Sequence, residues 1–280
     1  MWRSLPARVS VLLLGASALV VACGSAVSPA AESAASSAAA SQAPVSTGPA
    51  QLAYRIVRSH PHDRAAFTQG LTIADGQLYE GTGLYGESKL RRVDLLTGAV
   101  LQEIELDSRY FGEGIAVVGD RIVQLTYQTG VGFVYDRKSF KQLREFRYPG
   151  EGWGLTYDGQ RLIMSDGTDT IRFWHPETLE EMGRMRVRDG DLAVTRINEL
   201  EYVDGALYAN IWEQERIARI DPRTGIVTAW VDMSNLLTAT ERSRGVDVLN
   251  GIAHDPRTGN FLVTGKLWPW VFEVQFVAKR

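Results

Sequence analysis

From Tyr54 onward, apolar and polar residues alternate, and Asp, Gly, Asn and Pro break the alternation at short intervals. Period-two alternation marks half-buried strands, and the breaks mark hairpin turns. Five segments share this form: "IADGQLYEGTG", "AVVGDRIVQLTY", "TYDGQRLIMSDG", "YVDGALYANIW" and "PRTGNFLVTGK". Their turn glycines, Gly76, Gly119, Gly159, Gly205 and Gly259, are spaced by 43, 40, 46 and 54 residues. Units continue into a second hairpin, as in "RRVDLLTGAV", "GFVYDRKSFKQL", "RFWHPETLEEM" and "ARIDPRTGIVTAW". A β-rich unit recurring near this period predicts one four-stranded blade per repeat, and so an all-β, five-bladed β-propeller. Helical character is confined to "SNLLTATERSRG" (234–245), a short helix or loop insertion that accounts for the longest spacing. The fifth unit supplies three strands, while "AYRIVRS" (53–59) is left over at the other end. That N-terminal strand is predicted to close the last blade and remove a free sheet edge.

The N-terminal region breaks the pattern. Arg3 and Arg8 precede an apolar run over 9–23, too short to span a bilayer and suited to a signal peptide. The run ends Val20-Val21-Ala22-Cys23, in the form of a bacterial lipobox, and Cys23 is the only cysteine. Residues 1–22 are thus predicted to be a lipoprotein signal and Cys23 the lipidation site. The alternative is an ordinary secretory signal with an incidental cysteine. Residues 23–50, rich in Ala, Ser, Pro and Gly, cannot bury enough apolar surface to order themselves and read as a flexible tether.

Residues 51–280 are left as the propeller. With 45% hydrophobic and 22% charged residues overall, the chain has ample material for a core. Loss of the leader removes Arg3 and Arg8 and no acid, moving the formal net charge from −3 to −5. That balance disfavours nucleic acid or an anionic membrane face as partner. The expectation is an exported monomer of the cell envelope or periplasm, touching membrane only through its lipid.

Stacking the repeats on their turn glycines aligns "FTQGL", "FGEGI", "GWGLT", "NELEY" and "LNGIA" as the strands nearest the axis. This alignment places Gln69, Glu113, Trp153, Glu199 and Asn250 at equivalent positions, four of them polar where strands are usually apolar. Hydrogen bonding across a water-filled channel would explain the polar ring as a whole. Glu113 asks for more, because it stands between two glycines beside Phe111. Phe67 precedes Gln69 by two residues as Phe111 precedes Glu113, so each pair shares a strand face. Tyr127 and Trp212 lie 14 residues after Glu113 and Asn198, and Trp268 and Trp270 follow Lys266. Aromatics recurring beside Glu, Gln, Asn and Lys predict a small pocket at one mouth of the channel. His60, His62, His175 and His254 are scattered: "HPH" falls in a predicted loop, and the other two sit at turns. No zinc-ligand spacing results. A structural calcium in the channel, held by carbonyls and Glu199 or Asn250, is the one metal considered.

The motifs "AFTQGL", "YFGEGI", "GEGWGLTYDG", "LIMSDGTDTIRFWHPET", "RINELEYVDGALYANIW" and "LNGIAHDPRTGNFLVTGKLWP" resemble, in order, those of the plant and bacterial glutaminyl-peptide cyclotransferases. The resemblance covers nearly everything from Tyr54 to the C-terminus. It implies a five-bladed propeller, no required cofactor, and conversion of N-terminal glutamine on peptides or proteins into pyroglutamate with release of ammonia. Glu113 matches the family's acid/base glutamate. Phe67, Gln69, Phe111, Trp153, Asn198, Trp212 and Lys266 match its pocket residues. Tyr127 stands where a tryptophan is expected, which implies a slightly more open or more polar pocket. Cyclisation needs a proton carrier for the α-amine, a task for Glu113, and donors for the carbonyl oxygen. Lys266, Gln69 and Asn198 are all candidates for that second task. A non-catalytic propeller binding a peptide or envelope partner through the same mouth is the competing reading.

Overall fold

The computed structural model describes residues 48–279; the leader and Cys23 lie outside them. Hairpins form where the turn chemistry asks for them. Asp75–Gly76 and Asp204–Gly205 take successive left-handed conformations (φ 50 and 74, 48 and 82), the geometry that matches the twist of two-residue hairpins.

The first strand, β1 (Ala50–Pro61), precedes the repeats. The first unit is β2 (Thr68–Ala74), β3 (Gln77–Thr82), β4 (Lys89–Val93) and β5 (Val100–Glu105). The second is β6 (Gly112–Val118), β7 (Arg121–Thr126), β8 (Val131–Asp136) and β9 (Gln142–Arg147). The third is β10 (Leu155–Tyr157), β11 (Leu162–Ser165), β12 (Thr170–Trp174) and β13 (Glu181–Arg186). A two-stranded ribbon, β14 (Arg188–Asp189) and β15 (Leu192–Ala193), leads into β16 (Ile197–Val203), β17 (Ala206–Ile211), β18 (Arg216–Ile220) and β19 (Val227–Asp232). A one-turn helix, α1 (Ala239–Arg242), lies within the predicted insertion, capped by Thr238 and Glu241. The chain ends on β20 (Leu249–Asp255), β21 (Asn260–Gly265) and β22 (Trp270–Ala278).

Within each unit the strands run as an antiparallel meander in sequence order. β1 pairs antiparallel with β22, from Leu52 opposite Ala278 to Pro61 opposite Trp270, and so becomes the fourth strand of the last unit. It begins before the predicted Ala53 and runs through His60 and Pro61, so the first half of "HPH" is strand, not loop. A short parallel contact with β19 at Ala50–Leu52 joins the last two units edge to edge.

Each sheet buries both faces against its neighbours, which explains the largely apolar inner strands. Leu90 of the first unit packs with Ile122 and Phe133 of the second; Leu125 packs with Met164 and Trp174; Ile163 with Leu200 and Leu207; Ile217 with Ile252 and Val263. Leu71 and Leu78 of the first unit then pack with Ala253 and Leu262 of the last, completing the circuit.

The inner strands approach so closely that most cannot carry a side chain at the contact. A Cβ on Gly114 would stand 2.5 Å from the Trp153 carbonyl oxygen, and one on Gly154 2.1 Å from that of Asn198. The fourth unit departs from this rule and carries Glu199 at the equivalent position. Its buried carboxyl spans the channel, accepting from the amides of Leu71 (3.1 Å) and Ile252 (2.7 Å). Two residues on, Glu201 accepts from the His254 amide (2.9 Å) and the Thr156 hydroxyl (3.3 Å). Burial drives both carboxyls toward the protonated form: Glu199 well above the usual range, with Glu201 adding to the effect, and Glu201 to about 8.

Between the ordinary carboxylate pKa and pH 8, the folded protein therefore holds a Glu201 proton that the unfolded chain has lost. Stability falls with rising pH across that window, by about 1.4 kcal/mol per pH unit for one such group. Urea midpoints measured from pH 5 to pH 8 should decline in the wild type and decline less in Glu201→Gln. Equal slopes in the two proteins would show that Glu201 is already ionised.

Candidate active site

The inner strands are bulged at one end, and the bulges carry the polar residues. Pairing of β2 with β3 slips between Thr68 and Gly70, around Gln69. In β6 it slips between Gly112 and Ile115, around Glu113; in β16 between Ile197 and Leu200, around Asn198; in β20 between Leu249 and Ile252, around Asn250. A bulge leaves residues free of ladder pairing and re-aims their side chains. This register corrects the sequence alignment by one place. Asn198, not Glu199, is the fourth counterpart of Glu113, while Glu199 takes the position held by Gly70, Gly114, Gly154 and Gly251.

All nine residues expected in the pocket line one cavity of ≈ 340 Å³. Gln69, Glu113, Asn198 and Lys266 form its buried polar part. Phe67, Phe111, Tyr127, Trp153 and Trp212 form an arc of edge-on and tilted rings, each 5.8–6.3 Å from the next. Tyr127 and Trp212 directly follow β7 and β17, as their common spacing required. Trp268 and Trp270, grouped with the pocket aromatics in the sequence reading, are not among its lining residues. Trp268 is buried beneath Gly265, its indole N–H bonded to the Asp247 carbonyl (2.9 Å), and the Trp270 indole donates to Glu241.

Glu113 accepts a hydrogen bond from Gln69 Nε2 through Oε1 at 2.8 Å. Burial pushes its carboxyl well above the ordinary range; the Lys266 ammonium pulls the other way, and Glu151 adds to the rise. Burial likewise lowers the Lys266 pKa against the opposing pull of Glu113 and Asp247. The two groups sense each other's charge without forming an ion pair, and the Lys266 ammonium lies 4.8 Å from the Phe67 ring centroid. Asn198 Oδ1 is buried with no partner among the described residues, an acceptor free for a ligand. Gln69 is committed, with Nε2 to Glu113 and Oε1 to Asn250 (3.2 Å).

Several contributors escaped the sequence reading. Glu151 accepts the Trp153 indole N–H at 3.0 Å and fixes that ring; it stands two residues before Trp153, as Phe67 stands before Gln69, so the pattern held the clue. Glu213, Asp247 and Val248 also line the cavity. Tyr85, 54% exposed, meets the Phe111 ring edge-on at 5.4 Å. Its turn is tied down by buried Ser88, whose hydroxyl donates to the Leu84 carbonyl (2.6 Å) and accepts from the Gly112 amide (2.8 Å). Of the two side chains considered for a channel calcium, Glu199 has both oxygens accepting from main-chain amides, while Asn250 Oδ1 is buried without a hydrogen-bond partner among the described residues.

His62, expected in a loop without zinc-ligand spacing, joins the loop bearing Phe67 to the turn bearing Lys266. Its Nε2 meets Glu80 at 2.9 Å and its Nδ1 the Trp268 carbonyl at 2.8 Å. Both contacts suit a doubly protonated ring. Burial opposes both charges, but Glu80, the Trp268 carbonyl and Asp63 together leave His62 raised, and His62, Arg91 and Thr68 together leave Glu80 lowered.

Residues 26–276 match the family model described as glutamine cyclotransferase. The chain belongs to the glutamine cyclotransferase family. It is 42% identical over 224 residues to a glutaminyl-peptide cyclotransferase of Arabidopsis thaliana, an alignment covering 79% of this chain and 70% of that protein. It is also similar to the crystal structure of Myxococcus xanthus glutaminyl cyclase, at 36% identity and a TM-score of 0.78, across 83% of this chain and all of that one.

In this cyclotransferase-family chain, the His62–Glu80 pair holds two sides of the cavity at once. His62→Phe leaves the Glu80 charge buried without that partner and should cost about 3–5 kcal/mol. A raised imidazole pKa gives stability that is complete below the unfolded value and lost as pH rises through the folded one. Thermal melts should therefore show an alkaline loss in the wild type that His62→Phe lacks. An unchanged melting temperature in the variant would remove His62 from this role.

Proposed function

We propose that this chain is a glutaminyl-peptide cyclotransferase, an acyltransferase that cyclises N-terminal glutamine to pyroglutamate and releases ammonia. The observation that carries the reading is Glu113. It is a buried carboxyl with a raised pKa, bonded through one oxygen to Gln69, on the wall of an aromatic cavity of ≈ 340 Å³. General acid–base catalysis works best when the carrier's pKa lies near the working pH, and burial moves Glu113 in that direction.

The reaction needs no outside nucleophile. The aromatic arc folds the glutamine side chain back on its own α-amine and excludes water, converting the chemistry to positioned attack within one molecule. Glu113 removes a proton from the α-nitrogen as that nitrogen bonds to the side-chain carboxamide carbon. It returns the proton to the carboxamide nitrogen as the C–N bond breaks, so ammonia leaves and the carboxyl is restored. Lys266 carries the positive charge best suited to the developing oxyanion, because Gln69 is committed to Glu113. Asn198 Oδ1 accepts an N–H of the bound glutamine.

Glu113→Gln should lower kcat for a Gln-Gly dipeptide by at least about two orders of magnitude, with KM changed little, in a coupled ammonia-release assay. In the wild type, kcat/KM should fall as pH drops through the raised Glu113 value, above the ordinary carboxylate range. Retention of a tenth or more of the wild-type kcat in Glu113→Gln would transfer the proton-carrier role elsewhere.

We further infer export under the signal at 1–22 and anchoring by lipid on Cys23, with the Ala/Ser-rich segment as tether and a monomeric propeller acting on glutamine-initiated peptides or proteins. The lone cysteine at the lipobox position supports this. Cells making the wild type should incorporate labelled palmitate into the protein and hold it in the membrane fraction; Cys23→Ala should lose both. Equal membrane retention of the two would refute anchoring at Cys23.

A further inference from the structure

The bulge of the last unit supplies a residue that does not line the cavity. Asn250 is fully buried, and its Nδ2 donates to the Thr68 main-chain carbonyl (3.0 Å) and to Gln69 Oε1 (3.2 Å). A main-chain carbonyl oxygen can only accept, so Asn250 must present its amide nitrogen there. The same nitrogen then faces Gln69, which must answer with its own oxygen. Gln69 is thereby obliged to turn Nε2 toward Glu113, where it donates to Oε1. One backbone carbonyl fixes the sense of two side-chain amides in succession.

We propose that Asn250 is a positioning residue which, through Gln69, holds Glu113 Oε1 as a hydrogen-bond acceptor and confines the transferable proton to Oε2. This rests on the reading of Glu113 as proton carrier. A carboxyl whose Oε1 receives an N–H carries its own proton on the other oxygen, and Oε2 has no hydrogen-bond partner among the described residues. One oxygen suffices for the reaction, since the attacking and departing nitrogens are bonded to the same carbon in the tetrahedral intermediate. The O–H formed at the α-nitrogen is broken again at the leaving nitrogen without the proton changing oxygens.

The other titratable groups whose charge Glu113 shares are Lys266, Glu151, Tyr127 and Tyr148. None of them hydrogen-bonds to it, so the Gln69 contact is the one that discriminates between its oxygens. With Gln69 locked as donor, the ionised carboxylate is favoured. Freed from Asn250, Gln69 can turn its oxygen to Glu113 and accept from the protonated carboxyl, which favours the neutral form.

The test follows Glu113 itself and needs no turnover. Protein labelled with ¹³C at the glutamate carboxyl is titrated by NMR, with Glu113→Gln identifying the resonance. Asn250→Leu removes the donor without adding charge, and Asn250→Ser keeps a small hydroxyl should the leucine variant not fold. Either should raise the Glu113 midpoint by about one pH unit. In a Gln69→Leu background the same substitution should move it no further. In ammonia-release assays, kcat should drop several-fold with KM within about twofold, and the acid limb should shift with the midpoint. A midpoint displaced by less than about 0.2 unit, or displaced equally with Gln69 present or absent, overturns the proposal. A shift that depends on Gln69 in a protein that releases no ammonia would keep the positioning role and reject the cyclotransferase reading.

Discussion

The molecule is governed by how close its inner strands come to a common axis. At the level of Gly114 and Gly154 the backbones leave no space for even a methyl group. The sheets must therefore meet edge to axis in one register, and the apolar seams between them follow. Crowding also explains why the functional side chains sit just above this level, on bulges. A regular strand would drive them into the neighbouring backbone, whereas a bulge lets each lean outward toward the channel mouth. Cavity geometry and fold closure are thus one constraint met twice.

Desolvation is the second result of that crowding. Glu113, Glu199 and Glu201 are all buried carboxyls driven toward their neutral forms, yet their surroundings separate their tasks. The Glu199 oxygens are occupied by main-chain amides of the first and last units, so it works as a brace. Glu201 is held by an amide and a hydroxyl. Only Glu113 combines a held oxygen with a place on the wall of an aromatic cavity of ligand size. Burial alone does not make an acid catalytic; what it faces does.

Much of this was legible in the chain. Turn glycines gave the repeat, and the i, i+2 pairing of Phe67 with Gln69 and Phe111 with Glu113 gave the cavity. The slip from Asn198 to Glu199 was avoidable: the 14-residue spacing that matches Tyr127 with Trp212 also matches Glu113 with Asn198. Alignment on the turn glycines favours Glu199, which stands six residues before Gly205 as Glu113 stands six before Gly119 and Trp153 six before Gly159. The contributions of His62, Asn250 and Ser88 were not legible, because their partners, the Leu84 carbonyl apart, lie 18 to 206 positions away and no local periodicity encodes such contacts. Trp268 misled for the opposite reason. Nearness to Lys266 in sequence does not survive the sharp turn at Leu267, whose backbone has φ 61.

The strand that completes the last sheet comes from the other end of the chain. During synthesis, β1 leaves the ribosome before all the other described strands, and its antiparallel partner after them. The wheel consequently stays open until β22 has been made. A chain stalled or cut within β22 would present two unpaired edges at once, and such edges recruit other strands. Ring closure thus makes the two ends of the propeller mutually dependent, since each strand hides the other's sticky rim.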